Sequence, residues 1–364
     1  MIKKITILKQ IDSLIGKQLI HAVRFIIQVR GNIPEIHRIL LIRPGGIGDA
    51  VLLLPAIRSL KEKFPNAEID ILCEKRNAGV FTLSNDINRI YLYDKGLGLF
   101  KCLKNRYDAV IDTEQWHRLS AVVAYISKAP VRIGFSTNER DRLFTHRIHY
   151  SQEDYEVNSF FHLIEPLVGN TPDFNTECPF INLNEDVPDR LLTYFRKGSG
   201  EIVSISPGAS AVERRWGGER FGQVAKTLNA SGYRVAILGS QTDKTDAEKI
   251  KRYAPECIDL TGITTLKDAA YILKLSRLLI TSDSGIMHIA YGVGTPTVSL
   301  FGSGIEKKWA PRGKRHVVLN KNLKCSPCTR FGYTPRCKKN ADCMKQIAED
   351  GVLKKALDLL EGET

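Results

Sequence analysis

The chain has 364 residues, 43% of them hydrophobic, and its 53 basic against 40 acidic residues leave a formal charge of +13. That length exceeds one ordinary core and fits two domains of about 150 residues each, and the apolar content supports a globular chain. The charge calls for an anionic partner, whether nucleic acid, lipid headgroups or a phosphorylated substrate, without choosing among them.

The N-terminus, "MIKKITILKQIDSLIGKQLIHAVRFIIQVR", has neither the continuous apolar core and small-residue cleavage site of an export signal nor an apolar run long enough to span a membrane. Ile7, Ile11, Leu14, Ile15, Leu19, Val23 and Ile26 recur at helical spacing among Lys3, Lys4, Lys9, Lys17, Arg24 and Arg30. This predicts a basic amphipathic helix over residues 1–37, suited either to an anionic membrane surface or to packing on the domain behind it. The protein is therefore expected in the cytoplasm, with peripheral contact to the inner membrane face compatible with the pattern.

From residue 38 short β-rich runs alternate with helical patterns, as in a parallel sheet covered by helices. The predicted strands of the first series are "RILLIR", "AEIDILC", "INRIYLYD", "YDAVIDT" and "VRIGFS". After the first comes "PGGIGDAVLLLPAI", which has the strand, glycine turn and helix of a phosphate site. Asp49 stands at the start of that helix, where a pyrophosphate would meet a like charge. An NAD-dependent oxidoreductase would use this turn with Glu74 on the ribose, but Val51 occupies the place of the third fingerprint glycine.

Residues 169–200, rich in Pro, Asn and Asp, read as a connection. A second series follows: "EIVSISPG", "YRVAILGS", "CIDLTG", "RLLITSDSG" and "TPTVSLFGS". The boundaries predicted are a first domain over 38–185, a second over 186–343 and a closing helix over 344–364. Two tandem Rossmann-like arrays suggest an α/β protein whose domains face each other across a cleft, with ligands at the strand ends. "SPGASAVERRWGGERF" offers small residues and arginines that suit a phosphate. In "SDSGIMHIA", Asp283, Ser284 and Gly285 open a helix that carries His288 one turn in. Backbone N–H groups there suit an anion, although Asp283 could equally serve as the helix cap.

Cys73, Cys102, Cys178 and Cys257 are scattered and read as small buried hydrophobes. Cys325, Cys328, Cys337 and Cys343 cluster in "CSPCTRFGYTPRCKKNADCM", where a CxxC knuckle with two further cysteines fits a structural zinc or iron site or, alternatively, two disulfides.

Taken in order, "GGIGDAVLLLPAIRSL", "SPGAS…RRW…RF", "DLTG", "SDSGIMHIA", "GTPTVSLFG" and the cysteine-bearing tail resemble the family-9 glycosyltransferases, the ADP-heptose:lipopolysaccharide heptosyltransferases, over roughly residues 38–360. The resemblance implies a GT-B fold with the acceptor on the N-terminal domain and the nucleotide sugar on the C-terminal one. It implies inverting transfer of heptose from an ADP-sugar to the lipopolysaccharide inner core, with no cofactor required for catalysis. The aspartate of the family's Gly-Asp turn, the proposed general base, falls at Asp49 beside Gly48. Ser210, Arg215, Ser284 and Gly285 are assigned to the diphosphate, with Asp283 and His288 lining the donor site; the family more often has Lys where this chain has Arg215. Arg43, Lys75, Arg76, Arg140 and Arg142 are candidates for the anionic acceptor. A nucleic-acid-binding protein would explain the charge and the knuckle but neither strand-end array. A GT-B epimerase would share the architecture, but no epimerase catalytic set is found.

Overall fold

The structure, a computed structural model, describes residues 35–183, 186–196 and 199–362, together with Asp12, Gly16 and Gln18. Apart from those three and residues 35–37, the amphipathic N-terminal segment expected from the sequence lies outside the described residues. The chain divides into two compact units, Met1–Phe174 and Asn175–Thr364.

The first unit is a six-stranded parallel sheet with helices between the strands. Its strands are β1 (Arg38–Arg43), β2 (Glu68–Cys73), β3 (Arg89–Leu92), β4 (Ala109–Asp112), β5 (Val131–Phe135) and β6 (His146–Ile148), in the order β3-β2-β1-β4-β5-β6. Its helices include α1 (Ile47–Leu52), α2 (Leu54–Lys63), α3 (Ala78–Phe81), α4 (Gly98–Leu103), α5 (Leu119–Ile126) and α6 (Glu156–Val168). Strand β1 is buried at all but its first residue, as expected of a central strand covered on both faces. Ile39, Leu40, Leu41 and Ile42 are all but inaccessible to solvent.

The second unit repeats the plan with β7 (Ile202–Ser206), β8 (Arg234–Ile237), β9 (Ile258–Asp259), β10 (Ser276–Ser282), β11 (Thr297–Phe301) and β12 (His316–Asn320), ordered β12-β11-β10-β7-β8-β9. The helices after the connection are α7 (Asp189–Leu192), α8 (Gly218–Ala230), α9 (Lys244–Tyr253), α10 (Leu266–Leu275), α11 (Gly285–Val293), α12 (Glu306–Trp309), α13 (Asp342–Lys345) and α14 (Glu349–Glu361). Counted from each unit's own first strand, both sheets have the order 3-2-1-4-5-6, the doubly wound Rossmann arrangement. Its switch point lies between β1 and β4 in one unit and between β7 and β10 in the other.

Each sheet has one strand more than the sequence predicts, β6 and β12. Both are edge strands, and the three residues of β6 include His146 and Arg147, too few and too polar to stand out. The C-terminal α14 is part of the second core. Its Val352, Ala356 and Leu360 pack with Trp216, Phe221, Met344 and Ile347, while α8 contributes Val224 and Leu228 to the same cluster. Among the described residues no helix is long and apolar enough to cross a membrane.

Candidate active site

In the first unit the parallel register brings Arg43, Cys73 and Asp112 to one carboxyl edge, with Arg43 opposite Cys73 and Ile42 opposite Asp112. The chain leaves β1 through a turn in which Gly45 has φ of +104°, a conformation that disfavours any side chain. The Gly45 N–H donates to Glu74 Oε1 at 3.1 Å, and the Tyr93 hydroxyl donates to the same oxygen at 2.6 Å. Glu74 thus ties the ends of β2 and β3 to the turn. Immediately after Gly48, the last glycine of the run, Asp49 sits in the first turn of α1. Its side chain retains 22% of its exposure, and its Oδ2 lies 3.4 Å from Arg43 Nη2.

Beneath that carboxylate is a buried charge network that the sequence did not announce. Arg43 donates from Nε to the Pro44 carbonyl and from Nη1 to the Thr113 carbonyl, both at 2.7 Å. Burial works against the Arg43 charge, but the Asp49, Glu114 and Glu156 carboxylates outweigh it and raise its pKa further. Burial likewise opposes ionisation of Glu114, and Arg43, His117 and Arg140 overcome it, so that Glu114 titrates below its ordinary range. Glu156 accepts from Gln115 Nε2 at 2.6 Å and from the Tyr150 hydroxyl at 3.1 Å. At the end of β4, Asp112 pairs with Arg140 at 2.6 Å with both side chains fully buried.

This geometry corrects the acceptor assignments. Arg140 has no surface with which to meet an acceptor, because its guanidinium is spent on Asp112 and on the Glu114 carbonyl. Arg43 is nearly as buried and serves Asp49 and the β4 end instead. Lys75, Arg76 and Arg142 are exposed. Arg76 pairs with Glu74 at 2.5 Å.

In the second unit β7 ends at Ser206 and β10 at Ser282, adjacent strands bridged by the Thr281 hydroxyl donating to the Ser206 carbonyl at 3.1 Å. No side chain caps the start of α11, whose cap residue is Ser284 and first residue Gly285. Asp283 is therefore not the helix cap that the sequence allowed. Its Oδ2 pairs with Arg214 Nη1 at 3.1 Å, and Gly304 permits that approach, since a Cβ there would stand 2.1 Å from the same oxygen.

Of the two adjacent arginines that the sequence offered for a phosphate, Arg214 meets Asp283, and Arg215, the one assigned to the diphosphate, lies elsewhere. Arg215 Nη1 and Nη2 meet Asp246 and Asp243 at 3.0 and 2.9 Å, and Nη2 also reaches the Ala209 carbonyl at 3.2 Å. That guanidinium is held by two carboxylates and a carbonyl and braces the loop. Ser210, one residue beyond Ala209, is exposed. His288 is buried beside Asp283 and Arg214. Burial pushes its pKa down to about 4, opposed by Asp283 and aided by Arg214, so the ring is neutral near pH 7. Its Nδ1, with the Ser282 and Ser303 hydroxyls, is a buried polar atom without a hydrogen bond among the described residues.

The cysteine-bearing tail packs onto this same place. Thr334 and Thr329 Oγ1 accept from Arg214 at 3.1 and 3.4 Å, the Cys337 N–H donates to Glu213 at 3.3 Å, and the Cys328 and Thr329 N–H groups both donate to the Ser303 carbonyl. The four-thiolate metal site expected from spacing gains no support from the arrangement. Among the described residues no three His, Cys, Asp or Glu side chains converge to hold an ion. Cys325 is exposed while Cys343 belongs to the hydrophobic core, and all eight cysteines are free, so the disulfide alternative gains no support either. Burial, with the neighbouring thiols, raises the pKa of both Cys328 and Cys343.

Two Rossmann-type units in tandem, each with polar side chains gathered at its switch point, have the makings of a GT-B glycosyltransferase. Solved structures of that fold match almost the full chain. The E. coli ADP-heptose lps heptosyltransferase II does so with a TM-score of 0.72 at 22% identity, over 90% of this chain and 99% of its own. A glycosyl transferase family 9 protein from Veillonella parvula gives 0.73 at 21%, over 91% and 100%. The chain belongs to glycosyltransferase family 9 (heptosyltransferase), whose family model matches residues 97–338. Curated relatives include lipooligosaccharide heptosyltransferase 2 of Haemophilus influenzae, 25% identical over 77% of this chain and 88% of that protein. Lipopolysaccharide heptosyltransferase 3 of E. coli is 28% identical over 72% and 83%.

Proposed function

We propose that this glycosyltransferase moves a heptose from an ADP-activated donor to the inner core of lipopolysaccharide, or to a closely similar glycan, in the cytoplasm and with inversion at the anomeric carbon. The observation that carries the reading is Asp49: a part-exposed carboxylate in the first turn of α1, at the sheet's switch point, with a permanent buried cation behind it. An acceptor hydroxyl is a weak nucleophile. Asp49 accepts its proton as the oxygen bonds to the sugar's anomeric carbon, while the bond from that carbon to the diphosphate oxygen breaks and ADP leaves with the electron pair. Such proton transfer is worth about 10²- to 10⁴-fold.

The departing diphosphate requires fixed positive donors. Arg214, the uncapped N–H groups at Ser284 and Gly285, and the Ser210 hydroxyl supply them, with Asp283 orienting Arg214 and neutral His288 beside both. Lys75, Arg76 and Arg142 suit the carboxylates and phosphates of the acceptor. The choice of donor is supported by the E. coli heptosyltransferase WaaC, of the same fold, solved with ADP and with ADP-2-deoxy-2-fluoro heptose. The family match begins after the glycine turn, so the role of Asp49 rests on its geometry and on the motif around it.

The test is a calorimetric binding panel of ADP, UDP, GDP and NAD, followed by transfer from ADP-heptose to lipopolysaccharide lacking its heptoses. ADP should bind at least tenfold tighter than UDP or GDP, and transfer should proceed. A preference for UDP or NAD, or no transfer, would overturn the proposal.

A further inference from the structure

The first unit carries a surface that neither the sugar-transfer chemistry nor the fold requires. After β3 the chain turns through Asp94–Leu97 into α4, and two large apolar side chains there are left in water, Leu97 at 64% and Phe100 at 66% exposure. They lie three residues apart at helical spacing, so they share a face with Lys101 and Lys104, which follow Leu97 and Phe100 respectively by four residues. The opposite face holds the helix in place: Cys102 is buried, and Leu99 packs on the core.

The patch is basic as well as apolar. Lys95, Lys101, Lys104 and Arg106 are all exposed and make no ion pair among the described residues; of the acids that flank the segment in sequence, Asp94 accepts from the Lys75 N–H at 2.9 Å and Asp108 from the His37 and Arg38 N–H groups at 2.8 Å. The turn is also held firmly. Asn105 Nδ2 donates to the Tyr91 hydroxyl at 3.0 Å and to the Lys101 and Cys102 carbonyls. Its position is pointed: it follows the carboxyl end of β3, joined to the Asp49 turn through Tyr93 and Glu74.

We propose that the turn and helix from Lys95 to Arg106 dock on a phospholipid surface bearing anionic headgroups, with Leu97 and Phe100 entering the headgroup–acyl boundary and Lys95, Lys101, Lys104 and Arg106 on the phosphates. Apolar side chains among cations that make no ion pair match that surface in both chemistry and charge. Each cation near an anionic surface strengthens binding roughly fivefold. A protein partner of ordinary size would need a broader apolar centre than two side chains provide. The docking would hold the Asp49 edge of the sheet near a membrane, where a lipid-anchored acceptor is found.

The test is flotation of the full chain with vesicles of phosphatidylcholine alone or with about a third phosphatidylglycerol, which needs no sugar substrate and so stands apart from the transfer assay. The wild type should float with the anionic vesicles, and less so as salt rises. Lys101→Glu with Lys104→Glu, and separately Leu97→Ser with Phe100→Ser, should each weaken that partition roughly tenfold or more with unchanged thermal unfolding. Ile263→Ser, an exposed apolar residue of the second unit, should change nothing. Wild-type partition in either double variant would overturn the proposal. So would a change confined to sedimentation behaviour, which would assign the patch to a second copy of the chain.

Discussion

Arg43, buried at the end of β1, holds its guanidinium 3.4 Å from the Asp49 carboxylate, which itself remains open to solvent. A cation that cannot leave and a carboxylate that can be reached are a suitable pair for a group that must accept a proton and then release it. Two further carboxylates, Glu114 and Glu156, also act on Arg43, so the same arginine balances charge that the fold has buried.

Asp49→Asn removes the proposed proton acceptor while keeping the shape of the turn. Turnover should fall by about 10²- to 10⁴-fold, while ADP affinity, measured by calorimetry, stays within about twofold. Parallel loss of both would make Asp49 a structural residue of the turn.

Replacing Arg43 tests the network rather than the chemistry. In Arg43→Met the Glu114 and Glu156 carboxylates lose one buried cation that acts on both, and breaking a buried pair in this way costs about 3–5 kcal/mol. Urea unfolding should show that loss, with Arg43→Lys retaining part of it. A midpoint unchanged in Arg43→Met would mean that the network contributes no stability.

The two adjacent arginines should behave differently. Arg214→Ala is expected to weaken ADP binding by roughly 10- to 100-fold, in line with loss of charge-assisted hydrogen bonds. Arg215→Ala leaves Asp243 and Asp246 without their partner and should lower the unfolding midpoint while affecting ADP affinity less. The reverse pattern would restore Arg215 as the diphosphate residue.

His288 makes stability depend on pH. Its pKa falls from an ordinary 6.5 to about 4 in the folded chain, through burial and Arg214 against the pull of Asp283. The unfolded chain therefore binds more protons than the native one between those values. The contribution is complete above pH 6.5 and is lost as pH falls towards 4, amounting to about 3 kcal/mol for a ring so buried. His316, lowered to about 4 by burial and by Arg315, acts in the same window. Urea midpoints measured from pH 7 to pH 4.5 should fall steeply in the wild type and less steeply in His288→Gln. Equal slopes would remove His288 from the account.

Most of the fold could be read along the chain. Strands such as "RILLIR" and "RLLITS" carry unbroken apolar runs, the helices between them are periodic, and the turns are marked by glycine. The strands that escaped, β6 and β12, are edges, where burial on one side only leaves a weaker pattern. The positions of Asp49, Asp283, Ser284 and His288 near strand ends could be read as well, because a strand's end is a local event.

The pairing of charges could not. Arg140 meets Asp112 across 28 residues, Arg43 meets Thr113 across 70, and Arg214 meets Thr334 across 120. Arg214 and Arg215 are chemically identical neighbours, and the short irregular turn sends one to Asp283 and the other to Asp243 and Asp246. Hydrophobic periodicity, glycine and proline act through each residue's own backbone and immediate neighbours, so the alternation of strand and helix is written locally. Whether an arginine is a surface hook or a buried counter-ion depends on which distant carboxylate shares its low-dielectric surroundings, and that is settled when the sheet closes around it.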